Sequence, residues 1–164
     1  MRVESLSNPS IVEDNLPKSI LICKILDHYL GESKGPENCI LDSQKKPDIL
    51  LSDYMIRLIV KTKPLHPVLH ICHAMVYTAR YLKYRKVKFT AYNAHRLALS
   101  SMLLTRKQLD DCSRDANVIY AKAGGVSLKE INLLECHLFN TLLSSHLYVS
   151  YDDIMSLYES LKIE

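Results

Sequence analysis

The sequence predicts an all-α domain, and three observations carry that prediction. Residues 97–104 hold Leu97, Ala98, Leu99, Met102, Leu103 and Leu104, broken only by two serines. A helix that is apolar on nearly every side is buried on all of them, and this run falls well short of the roughly 20 residues a bilayer crossing needs. It therefore reads as a hub around which other helices pack. Helix-start signatures also recur: Ser127 with Glu130, and Ser150 with Asp153, each spell a capping box ahead of an apolar run. Finally, 4 glycines are few for the many tight turns of an all-β chain.

Taken in order, residues 1–14 read as a disordered lead-in. Asn15 caps a first helix over 17–30, with Pro17 in its first turn and Gly31 as its stop. Ile22, Ile25, Leu26 and Tyr29 share one face by their spacing. The long stretch from Gly31 to Pro47 reads as a linker, which makes residues 15–47 an accessory segment ahead of one domain at 48–164. A second helix, Ser52 to Lys61, carries Tyr54, Met55, Leu58 and Ile59. A third starts at Pro67, runs to about Lys83, and buries Val68, Ile71, Cys72, Met75, Val76 and Leu82. The hub spans Asn93 to Leu109. A short fifth helix is capped by Asp115 and turns Val118, Ile119 and Ala123 inward; Gly124-Gly125 stops it. Ile131, Leu134, Leu138 and Leu142 line one face of the sixth, and Val126 staples onto Ile131. A last short helix repeats the device with Val149 and Ile154.

Composition narrows the class without naming a function. The chain has 164 residues, 48% of them hydrophobic and 24% charged, as an ordinary globular domain has. Its net charge of +3 is too mild to imply nucleic acid by itself. Cys23, Cys39, Cys72, Cys112 and Cys136 are an odd number without paired spacing, and the N-terminus lacks the basic and apolar regions of a signal peptide. They read as free thiols of a reducing compartment, cytoplasm or nucleus.

From Leu51 to Leu161 the chain resembles the cyclin box of the phosphate-regulatory cyclins, the P-type or U-type class. SDYMIRLIVK is similar to the opening helix of that family and FTAYNAHRLALSSMLL to its hub. RKQLDD stands at the hub exit, and YAKAGGVSLKEINLLE is the sharpest match. The resemblance implies a five-helix cyclin box with an extra N-terminal helix and a short C-terminal helix. It further implies a regulatory subunit, not an enzyme, that binds and activates a cyclin-dependent protein kinase in cell-cycle or phosphate signalling. Lys107 and Glu135 match the family pair that grips the kinase's αC helix, and Leu138 and Phe139 fall beside them on the kinase-binding helix. A kinase is active only when its αC glutamate pairs with the ATP-binding lysine, so a partner that holds αC inward selects the active state. Two departures support an alternative, a cyclin-fold adaptor with weak or no kinase activation. Ala79 stands where the family has Asp, and Ser145 stands near the end of the sixth helix, where the family has Phe.

Other clusters have plainer readings. His66, His70 and His73, with Cys72 beside them, are spaced along one helix face, but one helix rarely supplies a whole zinc site; they read as hydrogen-bonded, partly buried histidines. Arg80, Lys83, Arg85, Lys86 and Lys88, interleaved with Tyr81 and Tyr84, can meet phosphate backbones, yet at a helix end they also complement the dipole. Asp110 and Asp111 have no companion nucleophile and read as a charged helix exit, and Gly124-Gly125 lacks the Lys-Ser/Thr of a phosphate loop. No cofactor, no metal, no nucleic acid and no membrane partner is expected.

Overall fold

A computed structural model describes residues 14–37, 39–111 and 114–162. Seven α-helices are present among them: α1 (Leu16–Leu26, continued by a 3₁₀ turn Asp27–Tyr29), α2 (Leu51–Thr62), α3 (Pro67–Arg85), α4 (Ala94–Leu109), α5 (Ala116–Gly124), α6 (Leu128–Ser145) and α7 (Tyr151–Ser160). The lead-in at residues 1–13 and Cys112 lie outside the described residues.

α4 is the hub that the sequence predicts. Residues 94, 95 and 97–105 are all buried along it, and α2, α3, α5 and α6 pack against it. Its two serines do not break the dry environment. The Ser100 hydroxyl donates back to the Arg96 carbonyl at 2.7 Å, and Ser101 bonds Thr78 of α3 at 3.1 Å. Each hydroxyl is thereby satisfied without water.

Two apolar clusters flank the hub. One joins α1, α2, the first half of α3, α5 and α7; the other joins Tyr77, Tyr81, Leu97, Leu104, Leu134, Leu138 and Leu142 with Leu41 of the long loop. α1 is therefore part of the core and not an outlying accessory: Ile22 and Cys23 are fully buried, and the helix packs on α2 and α3. Ile22, Cys23 and Leu26 form its inward face, while Tyr29 is half exposed and sends its hydroxyl to the Ser160 carbonyl. The linker is pinned as well. Gly31 N–H donates to the Phe89 carbonyl at 2.7 Å, Ser43 N–H to Tyr92 at 2.8 Å, and Leu41 is fully buried.

The two capping signatures come out differently. Ser150 and Asp153 make the full reciprocal box at α7. At α6, Ser127 accepts from the Glu130 N–H at 3.0 Å, but the Glu130 carboxylate turns away to Arg96 of α4 at 2.6 Å. Gly124 and Gly125 also divide their duties. Gly125 takes the left-handed conformation (φ 71°) that ends α5. Gly124 lies where a Cβ would come within 2.7 Å of Leu99 and 2.9 Å of the Tyr54 hydroxyl, so it sets how closely α5 approaches α2 and α4. Its carbonyl accepts from that hydroxyl at 3.1 Å.

The inward face of α5 differs from the expectation. Ala116, Tyr120, Ala121 and Ala123 are buried, whereas Val118 and Ile119 are 37% and 43% exposed. Close approach to the hub admits small side chains and one tyrosine there, which leaves the β-branched pair on the outer side.

Candidate functional site

The exit of α4 and the first half of α6 bring Lys107 and Glu135 together. Lys107 Nζ donates to Glu135 Oε1 at 2.5 Å, with the two side chains 35% and 16% exposed. The convergence follows from the packing of α6 against α4, with α5 carrying the chain between them. The second Glu135 oxygen accepts from Asn117 Nδ2 of α5 at 2.8 Å, and the same amide donates to Asn132 Oδ1 at 2.7 Å. Asn117 was not among the sequence candidates. No local spacing connects it with Glu135; only the fold of α5 onto α6 does.

Chemically the pair is not exhausted by its internal bonds. A lysine ammonium has three donors and a carboxylate about four acceptor positions. Lys107 and Glu135 can thus still offer donors and acceptors to a partner's backbone. Exposed apolar side chains adjoin them in sequence: Leu109 beyond Lys107, Val118 and Ile119 beyond Asn117, and Leu133 beyond Asn132.

Leu138 does not belong on that surface. It is fully buried in the stripe Leu134–Leu138–Leu142 against Leu97 and Leu104, because four-residue spacing puts it on the inward face. Its contribution is to the position of α6. Phe139 is half buried and packs on the same cluster.

Beside Lys107 the exit turns inward. The Asp110 carboxylate, 5% exposed, lies 3.0 Å from Arg106 Nε and 3.4 Å from the Nε2 of His70, a fully buried side chain. Arg106 also donates to the Thr62 carbonyl at 3.3 Å, so this cluster ties the exit of α4 to α2 and α3. Burial lowers the pKa of His70 despite the attraction of its neighbouring carboxylate. Asp110 is therefore a structural acid, while Asp111 stays exposed.

The histidine row is divided among separate partners. His66 is exposed and 3.8 Å from Asp14, whose carboxylate accepts the α3 N-terminal amides of Val68 and Leu69 at 2.6 and 3.3 Å. His70 Nδ1 bonds the His66 carbonyl, and His73 Nδ1 bonds Thr105 at 3.1 Å. Burial pushes His73 down to about 4. Burial likewise raises the thiols of Cys23 and Cys72 to about 12. The four described cysteines are free, and among the described residues no three metal-ligating side chains gather. No helix among the described residues is long and apolar enough to cross a membrane.

The hub α4, with α2, α3, α5 and α6 packed on it, thus ends in a lysine paired to a glutamate of α6. The family model described as Cyclin matches residues 14–143, from just ahead of α1 to near the end of α6, and the chain belongs to the cyclin family. Its similarity there is to P- and U-type members. Cyclin-P3-1 of Oryza sativa subsp. japonica is 32% identical, over 77% of this chain and 56% of its own length. Cyclin-U3-1 of Arabidopsis thaliana is 30% identical over 84% and 62%, and Cyclin-U4-2 of the same plant 36% identical over 55% and 41%. The chain spans about half the length of the curated relatives it matches.

Proposed function

We infer that the chain is a regulatory subunit that binds a cyclin-dependent protein kinase and activates it by holding the kinase αC helix inward. The observation that carries this reading is the Lys107–Glu135 pair, set across two packed helices and braced by Asn117. A fixed acceptor beside a long donor, with exposed apolar side chains adjoining, fits a helix whose backbone groups need partners as it seats. The binding energy then goes to one of two kinase conformations. The departures at Ala79 and Ser145 leave this pair untouched. Ala79 is exposed and Ser145 lies at the far end of α6.

The test uses the kinase that co-purifies with the chain. Lys107→Ala and Glu135→Ala should each weaken its binding by about 2–5 kcal/mol, the usual cost of truncating a hydrogen-bonded charged contact that an interface buries, or roughly thirty- to several-thousand-fold. Melting temperature should hardly move, because a partly exposed ion pair contributes about 0–1 kcal/mol to a free chain. The chain alone should phosphorylate nothing and should raise the turnover of the kinase. Wild-type activation by both variants would overturn the assignment. Tight binding without any gain in turnover would instead make the chain an adaptor.

A further inference from the structure

The C-terminal ends of α3 and α6 leave a hollow of about 560 Å³ between them, ringed by Arg80, Lys83, Tyr84, Ser145 and His146. Arg80 is its fixed edge. One guanidinium nitrogen donates to the carbonyls of His146 (2.9 Å) and Tyr148 (2.6 Å), the other to Asp153 at 3.0 Å. The side chains of Lys83 and Lys86 are exposed and form no hydrogen bond or ion pair among the described residues, while Arg85 lies toward Tyr81 and His137. Tyr84 is half exposed and supplies an aromatic wall.

Complementing helix dipoles does not account for so many cations. A helix C-terminus carries about half a negative charge. Two such ends together with Asp153 offset about two of the three charges that Arg80, Lys83 and Lys86 bring, and about one positive charge remains. A phosphate monoester carries about −1.5 to −2 at neutral pH. Ser145 stands on its rim and leaves the hollow open.

We propose that this hollow docks a phosphoserine- or phosphothreonine-bearing segment of another protein. The Lys83 ammonium is its donor to the phosphate oxygens, the Ser145 hydroxyl can join it by turning from its long 3.4 Å bonds to the Thr141 and Leu142 carbonyls, Lys86 adds to the field, and the Tyr84 ring takes the residue next to the phosphate. The extent of the patch argues for a peptide. From Arg80 to Lys86 the helix advances about 9 Å, enough for one phosphorylated side chain and its neighbours, whereas a nucleic-acid strand needs a longer track of cations. Ser145 lies about 15 Å along α6 from Glu135, so the Lys107–Glu135 pair stays accessible while the hollow is filled. The proposal does not depend on the kinase reading, because binding is measured on this chain alone.

The test is fluorescence anisotropy of the intact chain with two labelled peptide libraries of degenerate flanks, one with a central phosphoserine and one with serine. A labelled single-stranded oligonucleotide and vesicles carrying phosphoinositides serve as the other arms. The phosphoserine library should bind about tenfold more tightly than its serine counterpart, and the preference should fall as salt rises. Lys83→Glu combined with Lys86→Glu should abolish that preference with the melting temperature unchanged. Ser145→Phe should abolish it by filling the hollow, without altering a charge. Equal binding of the two libraries overturns the proposal, as does a preference that survives both variants. So does binding of the oligonucleotide or the vesicles as tight as that of the phosphopeptides.

Discussion

The two ends of α4 carry polar residues in similar number and use them in opposite ways. At the entrance every one is turned to a partner within the chain. Asn93, 2% exposed, accepts from the Thr90 amide at 3.0 Å and donates to the Lys88 carbonyl at 2.8 Å. His95 Nε2 bonds the Ile49 carbonyl at 2.8 Å, and Arg96 pairs with Glu130. The exit is divided: Arg106 and Asp110 lock onto α2 and α3, while Lys107 reaches out to Glu135. The entrance is spent on the fold, and the His95 nitrogen left without a partner, Nδ1, is buried away from any other molecule. At the exit the fold consumes Arg106 and Asp110 and leaves Lys107 and Asp111 at the rim. Polarity at a helix end therefore does not mark a site; polarity left over after the internal bonds are counted does.

That contrast can be broken experimentally, beginning with the dry middle that both ends share. Leu104→Ala should cost about 2–5 kcal/mol of stability, the usual range for a buried leucine, in a denaturant titration. A loss under about half a kcal/mol would mean that α4 is no hub. Asp110→Ala comes next, at about 2–3 kcal/mol. Breaking a fully buried pair costs more, roughly 3–5, but the Arg106 side chain is 25% exposed and water reaches it. Kinase binding should then change less with Asp110→Ala than with Lys107→Ala; the reverse order would move the contact to the inward branch of the exit. Asn93→Ala should cost about 1–3 kcal/mol by leaving a buried amide and a carbonyl unpaired, with kinase affinity untouched. A drop in affinity there would erase the distinction between the ends.

A further test varies pH instead of sequence. His95 at the entrance, His70 at the exit and His73 between them are all held below the ordinary histidine pKa by burial. The folded chain therefore binds fewer protons than the unfolded chain once pH falls below about 6.5. Their contribution is complete above that value and is lost as pH drops toward about 4, where His73 titrates in the fold. Melting temperature should fall progressively across that window, and His73→Gln should flatten part of the slope. A melting temperature flat between those limits would mean that these rings are solvated.

Much of this was legible in the sequence, because helix starts and stops are local chemistry. The hub, the stripe Ile131–Leu134–Leu138–Leu142 and the caps at Asn15, Ser127 and Ser150 all follow from residues within a few positions of one another. What escaped depends on neighbours far away in the chain. α5 turned its small residues inward because Gly124 lets the helix approach Leu99 closely, a demand written in α4. The Glu130 half of a capping box went to Arg96 because α6 starts beside α4. The linker reads as slack by composition, yet Leu41 and Gly31 anchor it to partners around residues 81–92. Within the candidate site, Lys107 and Glu135 were visible only through family resemblance, and Asn117 had no sequence signal at all. Leu138 was misplaced there because a resemblance marks a helix, whereas periodicity decides which of its faces is wet.

The bracing of Glu135 by Lys107 and Asn117 has a kinetic meaning. Immobilising a long side chain at an interface costs about 0.5–1.5 kcal/mol of rotamer entropy, and here two such side chains are already immobilised in the free chain. A partner arriving at this rim meets a finished surface and waits for no rotamer search. Its association rate is then governed by diffusion and orientation, in the ordinary docking range of about 10⁵–10⁷ M⁻¹s⁻¹. Asn117→Ala should slow that arrival by freeing the glutamate to wander, even where the lifetime of the finished complex is unchanged.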